Sequence, residues 1–328
     1  MMNDFVYGAR GFMKKYRHLY GPVPSRRLGR SLGIDLVPPK ICTYDCVYCQ
    51  IGQTAERRLV RKEYIPGEEV LEEVRSFLEE KGSDIDHFSL SGSGEPTLHS
   101  GIRWIIDEIK KLSSVPVAVI TNGSLLYRKE VREDLLRADV ILPSLDAVSA
   151  EVFQKINRPH PEVTVDQVIE GLVEFRRVYG GRIWLEVLFC KGINDHPEEI
   201  EKMKKAIDRI QPDRIDLNTV VRPPAEKWVS PLSHAELEKI RTFLGEKAIV
   251  IPEFDRHPLS VPGQEVQERI VAILGRRPLS LADLSKWMRI PPHELETHLT
   301  PLIREEKVKT RSFGGSVYFE IAVASEKV

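Results

Sequence analysis

Short strand-like segments and longer helical segments alternate along this chain from Leu32 to Ile251. In the first helical segment, Val70, Val74 and Phe77 recur at helical spacing. Strands that alternate with helices favour a parallel sheet with crossover helices. Since a closed barrel of eight such units usually needs about 250 residues, we predict an α/β fold with a partial (β/α)6 parallel barrel. The six strand segments are LGIDLV, DHFSLSG, VPVAVITN, DVILPSLD, RIWLEVLFC and RIDLNTVV.

Polar residues recur inside these strands, out of phase with their apolar neighbours. Because successive side chains of a strand point to opposite faces, the apolar set would pack on the helices and the polar set would line the barrel. Small closed barrels are filled with branched apolar side chains, so a polar lumen predicts a bound ligand. The alternative is a scatter of helix-facing or strand-end polar residues. The polar set is Asp35, Ser89, Ser91, Asn122, Ser144, Asp146, Glu186, Asp216 and Asn218.

Three of the four cysteines lie together, as Cys42, Cys46 and Cys49, directly after the first strand segment. Three close thiolates can bind three irons of a 4Fe–4S cluster, while the fourth iron keeps an open position for a small molecule. A zinc knuckle or a disulfide pair is the alternative. Structural zinc needs four nearby ligands, and Cys190 is far along the chain. Clustered cysteines of this kind are typical of a reducing compartment, so we expect a cytoplasmic protein.

The formal net charge of −1 gives no overall attraction to nucleic acid or to a membrane. No apolar run is long enough to cross a bilayer, so we expect no membrane partner. The local charge is different, because the segment 10–30 has seven arginines and lysines and no acidic residue. Tyr16 and Tyr20 interleave with these cations, as in segments that stack bases and neutralise phosphates. The alternative is a solvated arm.

The C-terminal region has a different pattern from the barrel. Three helical segments precede two strand segments that flank Gly314 and Gly315, an order typical of a winged helix-turn-helix. The third helical segment carries Glu294 and Glu296, so docking to a protein is as consistent with the sequence as DNA binding. The predicted organisation is a basic extension over 1–30, a barrel over 31–255, a linker over 256–263 and a winged helix over 264–323.

The motif CTYDCVYC followed by SGSGEPTL resembles the radical SAM superfamily, and the resemblance covers Leu32 to Ile251. It implies that Cys42, Cys46 and Cys49 bind the cluster and that S-adenosylmethionine (SAM) chelates the open iron. One electron then cleaves the sulfonium to give methionine and a 5′-deoxyadenosyl radical, which abstracts a hydrogen atom from substrate. The resemblance also implies a flavodoxin- or ferredoxin-like electron donor. The protein would bind and orient these groups and exclude water.

The resemblance further implies contacts to SAM. Tyr48 matches the position beside the adenine, and Arg158 lies where a cation meets the methionine carboxylate. Ser93, Gly94 and Glu95 resemble a Gly-Gly-Glu element that receives the methionine ammonium, with serine replacing its first glycine. Glu95 would supply the negative charge, while Gly92 and Gly94 let the backbone approach closely. The strand-end residues that match positions bonding ribose or carboxylate are Asn122, Ser144 and Asp146.

The opening YGPVPSRRLGRSLGIDLVPPKICTYDCVYC is similar to radical SAM proteins related to the wyosine-base synthases, which modify tRNA. The second-cluster cysteines of those synthases are missing, because no cysteine precedes Cys42. Kinship with this branch and the basic N-terminal segment predict a tRNA or other RNA base as the substrate. The rival functions are a maturase acting on a protein or peptide, and an iron–sulfur redox regulator that binds DNA. Cys190 is a hydrogen-donor candidate or a small core residue, and Glu186 binds substrate or pairs with Arg158 or Arg182.

Overall fold

The computed structural model describes residues 16–251, 266–275, 277–288 and 290–322. Residues 1–15 of the predicted basic extension and the whole of the predicted linker, 256–263, lie outside these ranges. Within the described ranges, no helix combines the length and the apolar character that crossing a bilayer requires.

Eight strands of the described chain form one sheet, in which neighbours along the chain are neighbours in space. β1 runs antiparallel to β2, and all later strands run parallel. Crossover helices connect the parallel strands, as the alternating sequence pattern predicts. The strands are β1 (Leu19–Ser25), β2 (Gly29–Ile34), β3 (His87–Leu90), β4 (Val117–Thr121), β5 (Val140–Pro143), β6 (Arg182–Phe189), β7 (Arg214–Thr219) and β8 (Ala248–Val250). The helices are α1 (Gly67–Lys81), α2 (Ile102–Leu112), α3 (Lys129–Leu135), α4 (Ala150–Ile156), α5 (Val165–Val178), α6 (Pro197–Ile210) and α7 (His234–Leu244).

The sheet is larger than the six predicted strands, which correspond to β2 through β7. β8 adds a seventh parallel strand, and β1 lies in the segment that the sequence analysis assigned to a basic extension. Pro22 and Pro24 explain why β1 was not predicted from the sequence. Proline cannot donate a hydrogen bond to a neighbouring strand, so its presence usually argues against a strand. The register of β1 against β2 also shifts between Tyr20 and Val23. Proline is tolerated there because β1 is an edge strand.

The two faces of the sheet carry the side chains that the period-two pattern predicts. Phe88, Ile141 and Leu185 are fully buried in the main apolar core, together with the helices. On the other face, the hydroxyl oxygens of Ser31 and Ser89 are 2.8 Å apart. This lumen is not polar throughout, however. A separate apolar cluster inside it consists of Leu28, Ala118, Val140 and Leu142.

The C-terminal unit consists of three helices and a three-stranded sheet with the order β10-β11-β9. The two-residue turn between β10 and β11 contains Gly314 and Gly315, both with positive φ (57° and 77°). Only glycine adopts that conformation freely, so this hairpin depends on the glycine pair. The elements are α8 (Val266–Leu274), β9 (Leu279–Ser280), α9 (Leu281–Met288), α10 (Pro292–Arg304), β10 (Val308–Phe313) and β11 (Ser316–Ile321).

This unit contacts the barrel on two sides. Val23 of β1 is buried in the same apolar cluster as Ile270 of α8 and Leu302 of α10. The Tyr318 hydroxyl donates to the backbone carbonyl of Val221 at 3.1 Å, just after β7. Arg311 donates to the Pro224 carbonyl at 2.9 Å in the same segment. The C-terminal unit therefore connects the edge strand β1 with the chain that follows β7.

Candidate active site

The predicted site residues come together at the carboxyl ends of the parallel strands. In parallel α/β sheets and barrels this end carries the binding and catalytic loops. Four loops contribute here, following β2, β3, β4 and β5. Two hollows of about 470 and 490 Å³ lie on the outer helices, and neither is lined by a predicted site residue.

The three clustered cysteines are free and half-buried. A nitrogen donor approaches the sulfur of each one. Asn122 Nδ2 lies 3.6 Å from Cys42 Sγ, and Asn157 Nδ2 lies 3.4 Å from Cys46 Sγ. Lys40 Nζ lies 3.4 Å from Cys49 Sγ. Hydrogen bonds to sulfur are one of the means by which proteins stabilise and tune iron–sulfur clusters.

The cysteine loop fits a cluster better than a single metal ion. No group of three or more His, Cys, Asp or Glu side chains in the described ranges is arranged to hold one ion. Ligands of one zinc ion converge on one centre, whereas thiolates on three corners of a cubane stand farther apart. Burial raises the pKa of Cys42 to about 12, so metal binding there would release a proton.

The SGSGE loop after β3 packs on the cysteine loop through its backbone. Ser93 N donates to Asp35 Oδ1 at 2.9 Å, and Glu95 N donates to the Ile41 carbonyl at 2.9 Å. At Gly94, an added Cβ would lie 2.2 Å from that same carbonyl oxygen. At Gly92, where φ is +116°, it would lie 1.8 Å from Asp35 Oδ1. Neither glycine therefore has room for a side chain beside these neighbours, while the approach to SAM stays a prediction.

The Glu95 carboxylate is buried and cross-links the ends of β3 and β4. Its oxygens accept hydrogen bonds from the hydroxyls of Thr97 (2.5 Å) and Thr121 (2.6 Å). They also accept from the backbone N–H groups of Thr97 (3.1 Å) and Asn122 (2.8 Å). Burial raises the pKa of Glu95, although these bonds favour the charged form. All four donors are neutral, so they do not offset the negative charge of the ionised carboxylate.

Asp146 organises the opposite side of the rim in the same way. Its Oδ2 accepts hydrogen bonds from the Tyr48 hydroxyl and from Asn157 Nδ2, the latter at 2.7 Å. Its Oδ1 accepts from Leu188 N at 2.9 Å. Burial raises the pKa of Asp146 to about 6. The sequence analysis missed Asn157, which bonds both Asp146 and Cys46. In the sequence, only its position next to Arg158 indicated that Asn157 could belong to the site.

The other residues that were predicted to contact SAM differ in whether their polar groups already have hydrogen-bond partners. Asn122 Nδ2 donates to Thr43 Oγ1 at 2.8 Å, so its amide is directed at the cysteine loop. Ser144 is half-buried, and its hydroxyl makes no hydrogen bond to another described residue. Arg158 has a positive φ of 44° and donates to Glu226 at 2.6 Å. The methionine carboxylate of SAM would have to compete with Glu226 for that guanidinium.

The lower lumen carries two carboxylates with cationic partners. Glu186 pairs with Arg27 and accepts from Asn218 Nδ2 at 2.9 Å. Asp216 accepts two hydrogen bonds from Arg214, at 2.6 and 2.9 Å. Burial acts to raise the pKa of Glu186, but the adjacent Arg27 guanidinium holds this pKa below its usual value. The prediction that Glu186 pairs with Arg158 or Arg182 was wrong. Its partner is Arg27, which is so distant in sequence that no local pattern indicates the contact.

Cys190 does not line the lumen. It is fully buried in the main apolar core, and its N–H donates to Asn194 Oδ1 at 2.8 Å. Strand β6 ends at Phe189, so the alternation that placed Cys190 in phase with Glu186 does not continue to it. Burial raises the pKa of this thiol. A small core residue is the interpretation that this environment supports.

Comparison with known protein families gives a match to the radical SAM superfamily over residues 36–211. The chain belongs to the radical SAM superfamily. Radical SAM proteins of this fold bind SAM and a 4Fe–4S cluster, and this one is a SAM-dependent enzyme. Its relation to the wyosine-base synthases stays a prediction.

The similarity between this radical SAM chain and several relatives extends beyond the barrel. It is 30% identical to a UPF0026 protein of Methanocaldococcus jannaschii over 92% of its own length and 94% of that protein's. It is 34% identical over 94% of its length to a protein of Brachyspira hyodysenteriae described as GTPase Obg, but it spans only 46% of that protein. At the level of fold, a radical SAM methyltransferase from Sphaerobacter thermophilus superposes with a TM-score of 0.51. The two sequences are 17% identical, and the superposed region covers 67% of this chain and 65% of the methyltransferase chain.

Proposed function

We propose that the protein binds a 4Fe–4S cluster through Cys42, Cys46 and Cys49 and SAM at its open iron. Reductive cleavage of SAM there supplies a 5′-deoxyadenosyl radical for hydrogen abstraction from a substrate in the lumen. One observation carries this proposal: three half-buried thiols, each with a nitrogen donor at its sulfur, lie at the rim of a barrel with polar inward side chains.

The chain's own residues position the bound groups. Lys40, Asn122 and Asn157 donate to the cysteine sulfurs and so compensate negative charge on the thiolates. Glu95 and Asp146 accept hydrogen bonds from neutral donors, which do not offset the negative charge of the ionised carboxylates. That charge favours SAM, whose sulfonium and ammonium groups are both cationic. The Ser144 hydroxyl remains available for a hydrogen bond to the ribose or the carboxylate.

For the substrate we propose a tRNA or other RNA base. Kinship supports this, together with the basic segment that precedes β2. In the described part of that segment, Tyr16 packs edge-on against Phe77, with ring centroids 6.2 Å apart. Arg26 and Arg27 turn inward and bond Asn218 and Glu186. The cationic charge of this segment is thus directed partly into the barrel, where a substrate would bind.

The C-terminal unit, 264–323 in the predicted division, is proposed to be a winged helix that docks on protein rather than on DNA. Its hairpin cations are already engaged. Lys309 lies 3.4 Å from Glu320, and Arg311 bonds the Pro224 carbonyl. Glu294 and Glu296 on α10 are exposed and would repel phosphates. This observation favours a protein-directed maturase over a DNA-binding regulator as the second candidate function.

Electrons for the reaction are proposed to come from a flavodoxin- or ferredoxin-like protein, which radical SAM chemistry requires in general terms. Lys40 and Cys49, next to each other at the rim, are both partly exposed. A donor that approached this side would come close to the cluster loop.

The test is anaerobic reconstitution followed by dithionite and SAM, with 5′-deoxyadenosine measured. The wild type should form it, and Cys46→Ala should lose both iron and product. Cys190→Ala is the matched control, because it removes a buried thiol outside the loop and should retain iron at a stability cost of about 1 kcal/mol. Equal iron content in Cys46→Ala and wild type, or a wild type that leaves SAM intact, contradicts the proposal.

RNA as substrate class has its own test. Nucleoside digests of tRNA from deletion and parent strains should differ in one modified nucleoside. Identical profiles at a sensitivity that detects one modification per tRNA species would count against RNA and in favour of a protein substrate.

A further inference from the structure

We propose that Lys40 is a positioning residue for the cluster, and that its positive charge raises the reduction potential of the cluster. The inference rests on the proposed function, because it requires a 4Fe–4S cluster at Cys42, Cys46 and Cys49. It goes further by naming the residue that determines how strong a reductant the electron donor must be.

Lys40 joins the two loops that form the rim. Its backbone N–H donates to the Ser93 carbonyl in the SGSGE loop at 2.7 Å. Its ammonium nitrogen lies 3.4 Å from Cys49 Sγ and also donates to the carbonyl of Gly52, which follows that cysteine in the same loop. Both ends of the residue are therefore fixed, and the ammonium is directed at one proposed ligand of the cluster.

The backbone conformation of Lys40 does not account for a lysine at this position. Its φ is +65°, in the left-handed region that residues other than glycine rarely adopt. Strain of this kind persists where the surroundings fix the residue, and it is common at functional sites. Glycine would meet the backbone requirement without strain. The contacts of the side chain are therefore the structural reason for a lysine here.

The other two cysteine sulfurs have a different kind of neighbour. Each accepts from the side chain of an asparagine, and that asparagine also donates to a buried carboxylate. The two sets are Cys42 with Asn122 and Glu95, and Cys46 with Asn157 and Asp146. Two of the three sulfurs thus have a neutral amide and a nearby carboxylate, whereas Lys40 brings a cation to the sulfur of Cys49.

This difference in charge matters when the cluster is reduced. In that step the donor protein loses one electron and the cluster gains it, and no bond forms or breaks. Three thiolates already give the oxidised cluster a net negative charge, and net charge is one of the factors that set its potential. Glu95 and Asp146, when ionised, oppose further negative charge, but the ammonium of Lys40 favours it. Without Lys40 the cluster should be harder to reduce.

A redox titration of the reconstituted full-length protein without SAM tests the inference, with the reduced cluster followed by electron paramagnetic resonance. Lys40→Met should lower the midpoint by about 59 mV or more, the value that corresponds to a tenfold change in the ratio of reduced to oxidised cluster for one electron. Lys40→Arg keeps the charge and should have a midpoint close to that of the wild type. Lys111→Met is the matched control, because it removes the same charge from an exposed lysine on α2 that pairs with Glu108.

A second neutral variant separates the charge from the hydrogen bond. Lys40→Gln keeps a donor without the charge, and its midpoint should fall as in Lys40→Met. If neither neutral variant retains iron, iron and a wild-type midpoint in Lys40→Arg would still support the role of the charge. Wild-type midpoints in the neutral variants, an equal shift in Lys111→Met, or a Lys40→Arg variant that behaves like the neutral ones would overturn the inference.

Failure of this inference can be distinguished from failure of the proposed function. A wild-type protein that binds no cluster removes both. A wild-type protein that binds the cluster and forms 5′-deoxyadenosine, but whose midpoint does not respond to the charge at Lys40, loses only this inference.

Discussion

The two ends of the lumen hold their buried carboxylates in opposite ways. At the upper rim, the described donors to Glu95 and Asp146 are all neutral groups, and burial raises the pKa of both. In the lower lumen, Glu186 and Asp216 are paired with Arg27 and Arg214.

This difference has a functional meaning. Carboxylates that are satisfied by neutral donors leave net negative charge, which suits a cationic ligand such as SAM. Paired carboxylates leave no net negative charge, because a guanidinium offsets each one. The two regions of the lumen therefore differ in electrostatic character, although the formal net charge of the chain is only −1.

The largest expected effect comes from breaking the pairing in the lower lumen. Arg27→Gln leaves the buried Glu186 carboxylate without its cation and should cost about 3 to 5 kcal/mol of unfolding free energy at neutral pH. Without Arg27, burial raises the pKa of Glu186 above its value in the wild type, although Asn218 and Arg26 still act to lower it. The folded state then holds the proton more tightly, so the deficit should shrink as the pH falls toward about 5.

Urea unfolding at both pH values measures this effect. The double variant Arg27→Gln/Glu186→Gln should recover most of the loss, because it removes the isolated charge. A deficit that is equal at both pH values and persists in the double variant would show that Arg27 acts by packing alone.

A somewhat smaller effect is expected at the rim, where the close approach of two backbones replaces ion pairing. Gly94→Ala places a Cβ 2.2 Å from the Ile41 carbonyl oxygen and should destabilise by about 3 kcal/mol. It should also lower the iron content, because the displaced segment carries the cysteine loop. Gly180→Ala is the control, since a Cβ there meets nothing within 4 Å. Equal thermal midpoints and iron contents for the two variants would contradict the role given to Gly94.

The smallest effect is expected where the C-terminal unit meets the barrel. Tyr318→Phe removes the hydrogen bond to the Val221 carbonyl and should cost about 1 kcal/mol. Because that contact joins two units, the loss should appear as faster hydrogen exchange in both β11 and the segment after β7. Tyr64→Phe removes a similar bond to Val60 within one loop and should change exchange only locally. Faster exchange in β11 alone would mean that the bond does not couple the two units.

Much of this architecture could be predicted from the sequence because it is local. Alternation located β2 through β7, and the cysteine spacing with SGSGE located the rim. The short distances at Gly92 and Gly94 show that neither position has room for a side chain. The interiors of strands and short motifs carry this information within a few residues.

The parts that could not be predicted depend on long-range pairing. Arg27 and Glu186 are 159 positions apart, and Asn157 meets Cys46 across 111. Neither pattern nor propensity specifies which buried cation meets which carboxylate. β1 was missed for a local reason, because Pro22 and Pro24 outweighed its alternation.

The burial of Val23 among residues of α8, α9 and α10 has a consequence for biosynthesis. This side chain leaves the ribosome early, but its apolar partners, from Ile270 to Val308, emerge near the end of translation. Until then, β1 offers an uncovered apolar surface and a free strand edge, which promote association between nascent chains. A gene truncated after β8 would therefore yield an aggregation-prone product, even though it still encodes every cysteine of the chain.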